Sequence, residues 1–395
     1  MASMTPRHRH EVRKHRAVKA AAISVSVVLV AVLTGGFLVY RHLEGNITPL
    51  DVEKALGSER PSEIVPTDQP HKPLNILLLG SDSREGQAAR IGGETPGLSD
   101  TTILLHLSGD RERAYGVSIP RDLMVERPDC EGKDGQTIPA RFGMFNEAYA
   151  LGGPACTIKT VEQMTDIRIN HFVVIKFDGF IDMVDALGGV PVCVPKEVHD
   201  DIGHIYLPAG SYEVEGQRAL DYVRVRHEIS NNGDLGRMRR QQAFLASMAN
   251  KAISAGTLVN PVRLYNFLDA ATKSLITDPD LAKLNELMGL AQQFKDIGLS
   301  HIQFLTVPIE TYPEDRNRVQ LTDAAETLWD RLREDKPLTR EQRQNVTTAA
   351  ETPSAGPSAG SSESPGTPST SATPSSSEDE SARRAAEAAA NGLCA

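Results

Sequence analysis

Residues 74–84 read LNILLLGSDSR, and this stretch decides the fold. Leu74 and Ile76 to Leu79 form an apolar run of strand length without polar alternation, so the strand has both faces covered. Gly80 stops the run, and Ser81, Asp82 and Arg84 follow at its carboxyl end, the edge where open α/β sheets bind ligands. Working outward, TTILLHL (101–107), AYGVSI (114–119), HFVVIKF (171–177), VPVCV (190–194) and HIQFLTV (301–307) read as further strands. Helical patterns cover 142–151, 155–165, 178–187, 237–255, 261–274, 279–294 and 322–333, several opened by Pro or Asp and closed by Gly. Buried strands interleaved with helices define the α/β class, here an α/β/α sandwich with a mixed central sheet.

Upstream, Ala20 to Tyr40 carries no charged side chain, and at ~1.5 Å per residue a helix of that length crosses a ~30 Å hydrocarbon core. Arg7, Arg9, Arg13, Lys14, Arg16 and Lys19 precede it against the single Glu11, while Glu44, Asp51 and Glu53 follow. The positive-inside bias makes this a single-pass anchor in the cell membrane, with residues 1–19 cytoplasmic and everything after the helix extracytoplasmic. Residues 41–73, broken by Thr48-Pro49, Arg60-Pro61, Val65-Pro66 and Gln69-Pro70, read as a stalk. The globular domain then covers 74–336. From Pro337 to Ala395 the chain is dominated by Ser, Thr, Pro, Ala and Glu, which bury too little apolar area to fold, so this tail is expected to be disordered.

The 395 residues are 40% hydrophobic and 24% charged, ordinary globular values that exclude wholesale disorder and a multi-span membrane protein. A net charge of −10 argues against a nucleic-acid partner and requires any anion site to be local. The 4 cysteines show no zinc spacing. Cys130, in a Gly-rich excursion after SIPRDL, and Cys156, after Gly152-Gly153-Pro154, are expected to pair outside the cytoplasm. Cys193, in an apolar strand, reads as a buried thiol.

Polar groups gather at strand ends. Asp82 and Asp100 flank the first two strands and are hard oxygen ligands suited to Mg²⁺, which takes one or two carboxylates beside phosphate and water oxygens. Arg121 and Asp122 leave the third strand just after Pro120. In ALDYVRVRHEISNNGDLGRMRRQQ, Arg224 and Arg226 stand two apart in what reads as an extended run, so both project from one face. Arg237 and Gln241 share a face at the start of the next helix. Guanidinium forks at a helix amino end suit phosphate oxygens.

In order, NILLLGSDSR, LSDTTIL, VSIPRDL, FNEAYALGGP, DALGGVPV and YVRVRH with DLGRMRRQQAFL resemble the LytR-CpsA-Psr family of bacterial cell-wall phosphotransferases, over roughly residues 74–307. The resemblance implies transfer of a glycopolymer from a polyprenyl diphosphate carrier to peptidoglycan through a phosphodiester. It implies Mg²⁺ held by Asp82 and Asp100, and diphosphate contacts from Arg121, Arg224, Arg226, Arg237 and Gln241. Leu98 stands where many relatives carry Arg, and Arg84 or Arg90 is the alternative contact. Asp122 is a candidate for the proton acceptor, with a structural pairing to Arg121 as the other reading of it. A diphosphate hydrolase and a non-catalytic lipid-carrier-binding wall scaffold remain as alternatives.

Overall fold

The computed structural model describes residues 6–63, 69–81, 99–132, 134–201, 203–225, 233–253, 255–350 and 393–394. These divide into two units, Met1–Asn46 and Ile47–Ala395. The first is one helix, α1 (Pro6–Asn46), whose stretch Ala21–Asn46 contains an 18-residue window of mean hydropathy 2.5 and is long and apolar enough to cross a membrane.

The second unit is built on a mixed sheet of eight strands among the described residues: β1 (Thr48–Pro49), β2 (Leu74–Ser81), β3 (Ser99–Leu107), β4 (Ala114–Ile119), β5 (His171–Lys176), β6 (Leu275–Thr277), β7 (Ile302–Thr306) and β8 (Thr347–Thr348). Their order is β1-β6-β5-β2-β3-β4-β7-β8. β2 pairs parallel with β5 and antiparallel with β3, which pairs antiparallel with β4. The apolar run of β2 serves both faces, as its lack of alternation requires. Leu77 and Leu79 enter one core with Leu104, Val117 and Trp329, while Ile76 packs on the other face with Ile103, Ala246 and Ile297. Helices α2 (Glu147–Thr165) and α8 (Asp323–Arg333) supply the first layer, and α5 (Gly233–Ile253) and α7 (Leu284–Ile297) the second. The sandwich is therefore as expected. Between these lie α3 (Phe177–Ala186), α4 (Gly216–Arg224) and α6 (Pro261–Ser274).

Three expectations need correction. Residues 47–62 are not a stalk: β1 joins the sheet beside β6, Val52 and Leu56 are buried, and the Arg60 guanidinium lies 2.7 Å from Glu162 Oε1 with both side chains 4% exposed. Short, proline-broken segments carry no local periodicity, and this one is held chiefly by distant partners such as Glu162, 102 residues from Arg60. VPVCV is a strand (Val190–Val194) but stands outside the main sheet, in a hairpin with Gly210–Val214 around its own core of Val192, Tyr222 and Phe244. The folded part also runs past residue 336, since Leu338 and Ala349 are buried and β8 pairs with β7. Residues 351–392 of the expected disordered tail lie outside the described residues.

The structure joins Cys130 to Cys156 across a Cα–Cα distance of 5.3 Å. Cys193 is not a thiol but is disulfide-bonded to Cys394 over a sequence separation of 201, a pairing that no local pattern could signal.

Candidate functional site

The site lies at one end of the sheet, where β2 and β5 finish and β3 begins. Ser81 pairs with Lys176 on one side and Ser99 on the other, while Gly80 pairs with Thr101. One residue, Asp100, is therefore extra in β3, and this bulge sits at the ligand edge. The register brings position 100 beside the end of β2, one residue before Asp82. Asp82 and Arg84, like Leu98, lie outside the described residues, and only the backbone of Asp100 is described.

A cavity of about 700 Å³ opens beside this edge, between the sheet and α3, α4 and α5. Its floor is Leu78, Ile103 and Ile175, and its walls include Phe180, Leu220 and Phe244. These residues come from strands and helices that each bury an apolar stripe, and the cavity remains where the α4 layer does not close on the sheet. A close helix crossing fixes one wall. A Cβ on Gly179 of α3 would stand 2.2 Å from Ser274 Oγ of α6, so only glycine permits this approach.

Arg224, Arg237 and Gln241 all line the cavity, as the sequence reading grouped them. The path to that grouping differs for one. Arg224 is the last residue of α4 rather than part of an extended run, because ALDYVR buries Ala219, Leu220 and Tyr222 on one helical stripe. Its guanidinium carbon sits 5.2 Å from the Phe177 ring centroid, which fixes the planar group at the cavity wall. Arg226 lies outside the described residues. Arg237 is 2% exposed, and Gln241 Nε2 donates to the Val223 carbonyl at 3.2 Å, so the first turns of α5 are tied to the end of α4. Two neighbours that the sequence reading passed over do the anchoring. Arg240, fully buried, donates to the Val225 carbonyl, and Gln242 Nε2 donates to Ser118 Oγ at 2.9 Å and Thr306 Oγ1 at 3.1 Å.

Arg121 and Asp122 are placed differently. Both follow β4, but neither belongs to the described cavity lining. Asp122 Oδ2 lies 3.4 Å from Arg121 Nε and its Oδ1 3.7 Å from Arg318, while its carbonyl accepts from the Val319 N–H. A carboxylate held between two guanidiniums is a structural partner, and the structure favours that reading of Asp122 over a proton acceptor.

The sequence reading also missed the acids of the cavity wall. Asp221 lies on α4 one turn before Arg224. Burial holds its carboxyl above the usual range, against the opposing pull of the Gln217 amide and the Arg224 and Arg218 charges. Asp200 accepts from the Gly203 N–H at 2.9 Å and so shapes the turn that carries His204, another lining residue. Period-3.6 reading of residues 216–224 would have put Asp221 and Arg224 on one face; the β-branched VRV masked it.

Two guanidiniums and an amide thus stand at the edge of an apolar cavity in an α/β domain. The chain belongs to the LytR_cpsA_psr family, whose model matches residues 39–334. It is 33% identical over 262 residues to "Cell wall biosynthesis protein LcpA" of Corynebacterium glutamicum, covering 60% of this chain and 50% of that one. It is 30% identical over 291 residues to "Polyisoprenyl-teichoic acid--peptidoglycan teichoic acid transferase TagU" of Oceanobacillus iheyensis, covering 73% and 85%. The chain thus spans about half the length of the corynebacterial relatives it matches. Among solved structures, "LytR-Csp2A-Psr enzyme from Actinomyces oris" superposes with a TM-score of 0.55 at 19% identity over 76% of this chain and 98% of that one, a likeness of fold.

Proposed function

We propose that this protein is a membrane-anchored phosphotransferase that moves a glycopolymer from a polyprenyl diphosphate carrier onto peptidoglycan. The observation that carries the reading is the junction of Arg224, Arg237 and Gln241 with an apolar cavity of about 700 Å³. A polyprenyl diphosphate has those two halves in that order, and the names of the family relatives point the same way.

In this reading the isoprenoid chain packs on Ile103, Leu220 and Phe244, and the diphosphate meets the guanidiniums at the cavity edge. Asp82 and Asp100 would hold Mg²⁺, which supplies charge neutralisation at the phosphate oxygens. The acceptor is a sugar hydroxyl of peptidoglycan. Its oxygen bonds to the phosphorus that carries the glycan, its proton passes to water, the bond from that phosphorus to the bridging oxygen breaks, and polyprenyl phosphate leaves with the electron pair of that bond. Arg224 and Arg237 stabilise the charge gathering on the leaving phosphate, so the protein contributes mainly position and electrostatics. The domain works on the extracytoplasmic side, as the basic residues before the uncharged stretch Ala20–Tyr40 imply.

The test is a fate-of-label experiment with the full chain in vesicles, carrier labelled in its glycan, and purified peptidoglycan. Label bound covalently to peptidoglycan supports the transferase. Label released as soluble glycan phosphate replaces it with a hydrolase, and label left on the carrier replaces it with a binding protein.

A further inference from the structure

The sheet sends chain past the site edge on both sides of β3. Ile119 of β4 pairs with Thr102 of β3, so Arg121 and Asp122 reach the level at which β3 begins. β7 runs parallel to β4, and the Val307 N–H donates to the Ser118 carbonyl at 3.1 Å, so the chain after β7 leaves at this edge as well. It turns back as a hairpin of Ile309–Thr311 with Val319–Leu321, and Val319 bridges to Leu123. The cavity lies toward β2 and β5, whereas this hairpin lies past the ends of β4 and β7.

A row of side chains joins the hairpin to the site edge. Thr311 pairs with Val319, and the Tyr312 N–H donates to the Arg318 carbonyl at 2.9 Å, so Tyr312 and Arg318 share one face. Arg318 Nη1 lies 3.7 Å from Asp122 Oδ1, and the other oxygen of Asp122 faces Arg121. Tyr312 is thus about two strand spacings, ~10 Å, from Asp122. At the outer end its ring centroid is 6.1 Å from that of Phe142, which stands on Arg141–Met144 and is 42% exposed. Phe142 opposes the exposed Glu126 across its strand pair, so its ring fills no core.

We propose that this row is the subsite for the acceptor sugar of peptidoglycan: Phe142 and Tyr312 stack on the C–H face of a pyranose, and the Arg318–Asp122 pair hydrogen-bonds its hydroxyls. The assignment deepens the transfer reading above and rests on it. In an in-line displacement the attacking oxygen stands opposite the leaving one. The leaving polyprenyl phosphate keeps its tail in the cavity, so the acceptor arrives from the side away from the cavity, where the row lies. The chemistry agrees with the position. An aromatic face carries partial negative charge that attracts C–H groups, and a carboxylate and guanidinium held by one another offer fixed acceptors and donors to a polyol. Charges of both signs, Arg121 and Arg318 against Asp122 and Asp315, leave little net field to select a polyanion instead.

The test has a binding arm and a kinetic arm, both with the full chain. The binding probe is a soluble, peptide-free tetrasaccharide of alternating N-acetylglucosamine and N-acetylmuramic acid, titrated calorimetrically. Phe142→Ala should bind it roughly three- to tenfold more weakly, the loss of one aromatic contact, while Phe142→Trp binds as wild type does. Tyr265→Ala, which removes an exposed ring on α6, is the control and should change nothing. In the transfer assay Phe142→Ala should raise the KM for peptidoglycan by the same factor and leave kcat and the KM for the carrier unchanged. The subsite is overturned if wild type does not bind the tetrasaccharide, if Phe142→Ala binds it equally well, if Phe142→Trp loses as much, or if the carrier KM rises instead. Binding is read without turnover, so a negative fate-of-label result removes the transfer reading and leaves the binding result to stand or fall by itself.

Discussion

Removing the Arg60 side chain tests whether residues 47–62 belong to the folded unit. Its Nη2 lies 2.7 Å from Glu162 Oε1 and 2.7 Å from the Ile169 carbonyl, and its Nε lies 3.1 Å from Glu162 Oε2. Glu162 Oε1 also accepts from the Ile169 N–H at 2.9 Å. Burial opposes the charge on Arg60, but Glu162 and Glu53 outweigh it and raise the guanidinium pKa above its ordinary value. Arg60→Ala leaves the Glu162 carboxylate buried without its cation, a change that costs about 3–5 kcal/mol. For a unit of roughly 300 residues, an unfolding entropy of about 0.6 kcal/mol/K converts that to a Tm loss of about 5–8 °C. Differential scanning calorimetry of the detergent-solubilised full chain measures it. Replacing the pair by apolar residues of similar volume, Arg60→Met with Glu162→Leu, should recover most of the loss, since burying two charges is itself costly. A shift below about 1 °C for Arg60→Ala would refute the reasoning and return this segment to a stalk.

Three further outcomes follow from named contacts. Asp278 is pushed up by burial but pulled net below the ordinary carboxylate range by His171 and by the Leu281 and Phe172 N–H groups. A depressed folded pKa adds stability above the unfolded value of about 4 that is lost as pH falls through the folded one, so Asp278→Asn should lower Tm at pH 7 and flatten its decline below about pH 4. Cys394→Ser opens a loop of sequence separation 201, for which chain entropy sets a ceiling of ~5 kcal/mol, and should lower the denaturation midpoint; a thiol on Cys193 in the unreduced, unfolded wild type would contradict the pairing. Gly179→Ala forces α3 from α6 and should destabilise by ~1–3 kcal/mol in denaturant unfolding, with an unchanged midpoint contradicting the tight crossing.

What could be read in the sequence was local. AYGVSI is a strand over Ala114–Ile119 as its run indicates, and α6 begins at Pro261 because Asn260 caps it, accepting from the Val262 and Arg263 N–H groups at 3.0 and 3.1 Å. The pairing of Arg237 with Gln241 was legible because the two stand i and i+4 in the first turns of one helix, α5. Three features depend on partners far along the chain: the place of β1 beside β6, the Arg60 ion pair and the Cys193–Cys394 link. No window of local pattern contains both members of such pairs. Arg224 shows the intermediate case, where β-branched neighbours suggest a strand and burial of Leu220 and Tyr222 decides for a helix.

The central claim is that the guanidiniums hold the diphosphate while the cavity holds the hydrocarbon. It is tested most directly by equilibrium binding of a polyprenyl diphosphate and of the corresponding polyprenol to wild type, Arg224→Ala and Arg237→Lys. Loss of a charge-assisted contact of ~1.5–3 kcal/mol predicts roughly ten- to hundredfold weaker binding of the diphosphate, incompletely spared by the lysine, with polyprenol binding unchanged. Equal losses for both ligands, or none for the diphosphate, would contradict it.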